Sequence, residues 1–490
     1  MPSVDGPEPY FKMAAPPVLS TNVITSGNPY GVVLKLALPT VFAMLSQSIV
    51  NEIDIVFFSQ LPCPESSNAQ AALFPCLIVL WAFGGSLSAI SVGTQALTAR
   101  RFAEGNSERS GAVLLNSWVF SSVASLAFSV LGVVALPWLL GTLISSEPVR
   151  IAAESYLGWR IWGITSMVLT FSFKSFFDGI GKTHVHLWSA LIMNALNVVL
   201  CLAFVLGYFG MPRLGMEGAG IAAFGSTWVG LFIMIGWALK KQYRATYRPF
   251  DFRKLDRGLT RDILRLSIPS GVATLAVMSG FAMFAMIVGR LDTLVGAKIV
   301  AGACPSASGE PINSAATTVI VGVLKLTFTA CLAFGTATAT LVGQSLGEGQ
   351  GKKAAHFGWV SVRLGILIFG VVGFLEGVVF PNEILGFMTH SPAVQAAALA
   401  PMRLMGLCTP LIAVGMILTQ ALFGAGNSVF VMIVELVLHF GCLVPLAWLL
   451  GITFGFGLIG IWTAAAVYAF LLTSVMVFKF SRGDWQRIVI

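Results

Sequence analysis

Residues 31–61 read GVVLKLALPTVFAMLSQSIVNEIDIVFFSQL, some thirty mostly apolar residues with two carboxylates, Glu52 and Asp54, set well inside them. A helix needs ~20 apolar residues to cross the hydrocarbon of a bilayer, so this stretch reads as a membrane span. An acid inside a span costs a few kcal/mol unless it meets a cavity or a partner, and such acids are functional by default. On a helix, Thr40, Ala43, Gln47, Asn51 and Asp54 recur in steps of three and four and share one face, which Asp54 completes. Glu52 falls roughly 200° round the axis from that face and belongs to the other side.

The rest of the chain repeats this kind of segment. Of 490 residues, 56% are hydrophobic and 10% charged, where soluble domains carry about 25% charged side chains. The fold class is therefore an all-α polytopic membrane protein. Hydropathy places twelve spans, at 31–60, 71–97, 112–143, 151–177, 185–209, 217–240, 263–289, 315–345, 354–380, 393–423, 428–451 and 457–480. Lys and Arg gather on the side that holds both chain ends, at Arg100, Arg101, Arg109, Lys182, Lys240, Lys241, Lys352, Lys353, Lys479, Arg482 and Arg487. The positive-inside rule puts both termini in the cytoplasm of a multi-pass plasma (inner) membrane protein.

Residues 1–30 read as a Pro-rich cytoplasmic tail without the basic start and apolar core of a secretory signal, and 483–490 as a second tail. The net charge of +8 is spread in short runs between spans, which excludes nucleic-acid binding and leaves the lipid bilayer as the partner surface. The only long charged stretch, 241–262, reads as a solvated linker lying against anionic headgroups between an N-terminal lobe (31–240) and a C-terminal lobe (263–482).

The two lobes share sequence. Leu-Lys-Leu-Ala-Leu-Pro (34–39) returns as Leu-Arg-Leu-Ser-Ile-Pro (264–269), and Ala-Arg-Arg-Phe-Ala-Glu-Gly-Asn (99–106) as Gly-Gln-Ser-Leu-Gly-Glu-Gly-Gln (343–350). Phe-Asp-Gly-Ile-Gly-Lys-Thr (177–183) pairs with Phe-Gly-Ala-Gly-Asn-Ser (423–428), and Gly-Met-Glu-Gly-Ala-Gly-Ile-Ala (215–222) with Gly-Leu-Ile-Gly-Ile-Trp-Thr-Ala (457–464). Six spans per repeat make the copies parallel, so the lobes are related by a pseudo-twofold axis along the membrane normal. Two such lobes enclose a central cleft, and rocking them gives alternating access.

These motifs, in this order and doubled, resemble the multidrug and toxic compound extrusion (MATE) family, most closely its prokaryotic members, from about residue 30 to 482. The resemblance implies twelve helices in two lobes and efflux of bulky, often cationic lipophilic compounds coupled to inward H+ or Na+. It also implies a coupling role for the acid on the first helix, here Asp54. The sequence departs from the family pattern at Cys201, where some members carry an acid or asparagine, and in 266–288, which contains no acid.

Read from the residues, a carboxylate in a low-dielectric cavity suits proton loading and release. Gln47, Asn51, Asn194 and Asn197 stand ready to hydrogen-bond either state of Asp54, or to supply oxygens for Na+ at Asp54 and Asn197; interhelical packing is the plain alternative for the two fifth-span asparagines. The matching face of the seventh span carries Val277, Phe281 and Phe284, an aromatic wall for a lipophilic cation or else core packing. Glu435 and His439, four apart on the eleventh span, read as a structural pair or a second protonatable pair at the substrate wall, with His439 matching Asn194 in the repeat. Lys174 and Asp178 read as an ordinary ion pair at a helix end, whereas Lys325, Arg403 and Glu376 suggest no partner.

No cofactor is expected: the seven cysteines lack metal spacing, and no nucleophile–base pair points to an enzyme. Gly-Ile-Gly-Lys-Thr (179–183) lacks the first glycine of a phosphate loop, since position 176 is Phe176. Gly455, Gly457 and Gly460 lie between spans with no strand before them. Cys63 and Cys304 precede prolines in matching outer loops, where a bridge between them would hold the outer gate shut. A monomer is expected. The rival readings are a flippase for a lipid-linked or polar glycan, favoured by a cleft rich in Arg and Lys, and a membrane protein that only binds.

Overall fold

Inside a bilayer each backbone N–H and C=O has to be paired within the chain, which leaves helices or closed barrels. The computed structural model describes residues 27–62, 65–144, 146–294, 312–389, 391–488 and 490, with side chains at all of these except 51, 52, 55, 67, 74 and 82. Among the described residues the chain is helical, without strands. Twelve long helices follow in order: α1 (Pro29–Ser59), α2 (Asn68–Ala103), α3 (Ser107–Leu143), α4 (Glu147–Gly179), α5 (His184–Phe204) and α6 (Met216–Leu239). The second six are α7 (Arg257–Leu294), α8 (Ile312–Gly347), α9 (Gly351–Val379), α10 (Pro392–Gly424), α11 (Ser428–Thr453) and α12 (Gly457–Arg482).

Eleven of these carry a stretch long and apolar enough to cross a membrane. The other, α4, has the length, 33 residues, but bears Glu147, Arg150, Glu154, Arg160, Lys174 and Asp178. Most of the helices outrun the hydropathy spans because their polar ends stay helical beyond the hydrocarbon, whereas α5 stops at Phe204, short of the expected 209. Local caps set those ends: Asn28 Oδ1 accepts from Tyr30 N at 3.1 Å, and Asn106 Oδ1 from Arg109 N at 3.0 Å.

The repeat is visible in the backbone. The α2–α3 turn uses Gly105 at φ 78° and its counterpart between α8 and α9 uses Gly349 at φ 73°; Gly181 after α4 (φ 74°) pairs in the same way with Gly426 after α10 (φ 86°). Only glycine adopts this left-handed conformation at little cost, which explains why both copies keep one there.

The lobes are not closed six-helix units. The first turns of α1 (Val33, Leu36, Ala37) pack into the core of α8, α9, α10, α11 and α12, whereas its last residues (Phe57, Phe58) sit in the core of α2–α6. Helix α7 mirrors this: Leu259, Ile263 and Leu266 join the N-terminal core, and Phe284, Ile287 and Leu291 the C-terminal one. Pro39 lies between the two parts of α1 and Pro269 between those of α7. A helical proline removes one backbone hydrogen bond and bends the helix, so each crossing helix has its weak point where it changes lobe.

The linker is docked where the sequence suggested a solvated strap. Residues 241–247 form a short helix whose Tyr243 and Tyr247 are buried against Phe177 and Phe176. Asn116 accepts from Asp256 N at 2.9 Å, and Lys254 pairs with Glu108 at 2.9 Å. The two tyrosines bring enough apolar area to override the charge around them.

At the basic end of the bundle the lobes are locked together. Gln95 Nε2 donates to Thr336 O and Thr340 Oγ1, both at 2.8 Å; Thr340 Oγ1 donates to Asp178 O at 3.1 Å and Gln344 Nε2 to Gly179 O at 2.8 Å. Arg100 reaches Ile488 O at 2.6 Å and Ala425 O at 3.0 Å. Close approach depends on small residues: a Cβ on Gly347 would stand 2.5 Å from Arg100 O.

Candidate functional site

Asp54 lies one and a half turns from the far end of α1, and its side chain is 8% exposed. Helix α5 faces it. Cys201 Sγ donates to Asp54 Oδ1 at 3.9 Å and stands 3.8 Å from Asn197 Oδ1, so the thiol fills the space between the two oxygens. Asn197 Nδ2 donates to Ser226 Oγ on α6 at 3.2 Å. One turn away, Asn194 Nδ2 donates to Ser46 Oγ on α1 at 2.8 Å. Both asparagines are buried, so α1, α5 and α6 are tied through polar side chains in an apolar surround.

The structure thus brings Asp54 and Asn197 together through Cys201, while Asn194 meets α1 at Ser46, about 12 Å along the helix from Asp54. Gln47 lies half-buried on the same face of α1. The side chains of Asn51 and Glu52 lie outside the described residues, as do Cys63 and Cys304, so the expectations on them stay with the sequence.

One charged group escaped the sequence reading. Arg160 sits thirteen residues into α4, about 20 Å along the helix from its outer end. Its guanidinium lies over the Tyr156 ring at 5.4 Å, and its electrostatic neighbours are Tyr156, Asp54, Cys201 and Cys76, drawn from α1, α2, α5 and α4 itself. Partners on those helices mean that it points into the N-terminal lobe. It makes no ion pair or hydrogen bond with a described residue. The lobe therefore holds one fixed positive charge near one titratable negative one.

In the C-terminal lobe, Phe284 is buried edge-on to Trp462 at 5.3 Å and belongs to the core. Phe281 is 40% exposed, and Val277 is half-buried one turn before it. Glu435 and His439 are both buried and touch each other, Nδ1 to Oε2 at 3.3 Å, with Tyr468 of α12 completing the cluster. Glu376 has a partner in Thr327, 2.9 Å away. Lys174 and Asp178 do pair, at 2.7 Å, but in the packed interior next to the lobe contact. Among the described residues there is no cluster of His, Cys, Asp and Glu fit for a metal.

The geometry describes two lobes, a locked basic end and a buried carboxylate toward the other end. Three comparisons with known proteins bear on it. The family model described as MatE matches residues 39–203 and 310–449. A probable multidrug resistance protein NorM of Thermotoga maritima is 24% identical over 469 residues, covering 93% of this chain and 92% of its own. The probable multidrug resistance protein YoeA of Bacillus subtilis is 21% identical over 455 residues, with 92% of each covered.

Among solved structures, the outward-facing conformation of a multidrug resistance MATE family transporter superposes with a TM-score of 0.82 at 19% identity, over 94% of this chain and 98% of that one. A transporter from Pyrococcus furiosus, described as having a binding pocket of reverse polarity, gives 0.83 at 20% identity over 95% and 98%. These likenesses bear out the twelve-helix, two-lobe fold.

Proposed function

Because the chain belongs to the MatE family of membrane transporters, which are not enzymes, we propose that it is a secondary antiporter exporting lipophilic, cationic organic compounds from the cell in exchange for an inward-moving ion, with Asp54 as the coupling carboxylate. It is a multi-pass protein of the plasma membrane, and the basic, locked end is its cytoplasmic side. The described state is then outward-facing. The relatives named as multidrug resistance proteins support the substrate class.

The observation that carries the reading is the nearness of opposite charges on Asp54, which is buried, and Arg160, whose electrostatic neighbours include it. With Asp54 ionised, the two sum to zero and the carboxylate attracts a cation. Once a proton neutralises Asp54, Arg160 is left as an unbalanced positive charge and repels the cation. Two unit charges ~6 Å apart at an effective dielectric of ~20 interact by about 3 kcal/mol, roughly a hundredfold in affinity. Proton and substrate thus exclude each other, which antiport requires.

The ligand set supports H+ over Na+. Sodium needs several hard oxygens, and the space between Asp54 and Asn197 is taken by the sulfur of Cys201. Cys201, donating to Asp54 and in contact with Asn197, ties the carboxylate to α5. Phe281 and Val277 offer the apolar wall for the substrate from the opposite lobe, without any cofactor.

The test is purified protein in liposomes loaded with a cationic dye, driven separately by pH and Na+ gradients. Wild type exports on the pH gradient and Asp54→Asn does not. Equal gradient-driven export by both would overturn the assignment.

A further inference from the structure

The coupling scheme leaves a buried polar cluster of the C-terminal lobe unused. Its helices are the repeat counterparts of those around Asp54: α7, α11 and α12 correspond to α1, α5 and α6. In each lobe a side chain–side chain hydrogen bond joins the last two of these helices, Asn197 to Ser226 at 3.2 Å and Tyr468 to Glu435 at 2.9 Å. Ser226 and Tyr468 differ by 242, the same offset as the Gly215 and Gly457 that open the two matching helices. The cluster therefore occupies the C-terminal equivalent of the coupling centre.

Its hydrogen bonding is lopsided. His439 Nδ1 lies 2.9 Å from Glu435 O and 3.3 Å from Glu435 Oε2, two acceptors, so Nδ1 carries a hydrogen. Tyr468 donates to the same carboxylate oxygen, and its ring stands 4.5 Å from the imidazole. The other ring nitrogen, Nε2, is buried and has no hydrogen-bond partner among the described residues. A histidine kept only for packing would leave this bare lone pair as pure desolvation cost. Helix α7 seals the ring: a Cβ on Gly280 would fall 2.5 Å from His439 Cδ2, and the Phe281 ring meets the imidazole at 6.2 Å. At His439 the regular helix also gives way to a π-helical turn, His439–Leu443, a device common at functional sites.

We propose that Glu435, His439 and Tyr468 form a second proton-binding site of the carrier, in which His439 Nε2 is the atom that takes the proton. The proton adds to the bare lone pair and leaves from the same atom; no other bond is made or broken. Glu435, held through Nδ1–H, balances the imidazolium, and Tyr468 keeps its hydrogen bond throughout. The unloaded cluster carries one negative charge and the loaded cluster none. The titratable groups touching the ring are Glu435 from α11 and Tyr468 from α12, with Cys442 an electrostatic neighbour of Tyr468, while α7 contributes the uncharged Gly280 and Phe281. Nε2 is buried and Gly280 of α7 packs against the adjoining Cδ2 edge of the ring, so loading calls for this contact to loosen, which ties protonation to lobe movement.

The inference rests on the antiport reading for its purpose but not for its test. Purified protein labelled with ¹⁵N-histidine has five imidazoles, and the signal lost in His439→Gln assigns one of them; Tyr468→Phe, which keeps the ring, checks the assignment by shifting that signal. Across pH 5 to 8.5, about the range in which histidines titrate, the His439 signal should pass from the Nδ1–H tautomer to the imidazolium, and Glu435→Gln should move that midpoint down by at least about one pH unit, a tenfold loss of proton affinity. A His439 that stays an unchanged Nδ1–H tautomer over the whole range overturns the proposal. In liposomes, His439→Gln should lower the protons moved per dye by one, while Asp54→Asn abolishes exchange. A titrating ring in a protein that exports no dye would leave the site standing and sink the antiport reading instead.

Discussion

Replacing Arg100 with glutamine tests the lock at the basic end. Arg100 is 6% exposed and spends two guanidinium hydrogen bonds on carbonyls of the opposite lobe, Ile488 O and Ala425 O. Hydrogen bonds to a charged group contribute about 1.5–3 kcal/mol each. Both carbonyls meet water once the lobes part, so the lower figure applies, and the two bonds together hold the closed state by about 3 kcal/mol. Losing them should raise the population open at this end roughly a hundredfold, while the fold keeps its cores.

The readout is a cysteine placed between the lobes. Ala99 is fully buried on α2 and faces Gly343 of α8 across the contact, and Ala99→Cys in a background without the native cysteines reports opening through its labelling rate with a water-soluble maleimide. With Arg100→Gln added, that rate should rise by about two orders of magnitude. A rate within about threefold of the parent would show that the bonds to Ile488 and Ala425 do not hold the lobes together, and the lock would have to lie in the Gln95 and Gln344 contacts alone.

By the same Coulomb figure, Arg160→Gln should tighten dye binding at both alkaline and acid pH by up to roughly a hundredfold, and cut pH-driven export by at least about tenfold because the protonated lobe no longer repels the cation; unchanged dye affinity with undiminished export in liposomes would refute the charge-exclusion scheme. Asp484, outside the spans, is held below the usual carboxylate range chiefly by its hydrogen bond from Lys479, at 2.7 Å. Its stabilisation is fully present above the unfolded carboxylate value and is lost as pH falls through the lowered folded one. Hydrogen exchange in residues 483–488 should therefore stay slow from neutral pH down past the ordinary carboxylate range and rise only under stronger acid; a rise already near pH 6 would count against this anchor.

Much of the architecture was legible because it is written locally. Paired motifs ending in glycine marked the turns, and the structure puts Gly105, Gly349, Gly181 and Gly426 in the left-handed conformation there. The face through Thr40, Ala43 and Asp54 is buried as its periodicity required. Arg160 was overlooked because α4 carries six charged residues, of which only the helix-end pair Lys174 and Asp178 stood out by spacing; the distance of four residues from Tyr156 was the available signal that it turns inward. Tyr468 could not be attached to Glu435 without the packing of α12 on α11, since nothing in the sequence fixes the rotation of one helix against the next. The π-helical turn at His439 changes the register by a residue and leaves no trace in hydropathy. The crossing of α1 and α7 between lobes was invisible for a similar reason: half of each helix is matched to residues far along the chain.

That crossing has a consequence for synthesis. Val33 and Leu36 find their core only with Phe334 and Cys331, about 300 residues later. At ~5–20 residues per second this is a wait of roughly 15–60 s. During that time the first helix made is anchored at its far end alone, in a membrane where its polar face has few partners. The nascent chain is exposed over this interval to quality control and to insertion in the wrong orientation. Codon pauses or mutations that lengthen the gap before α8 should lower the yield of folded carrier without touching its final stability.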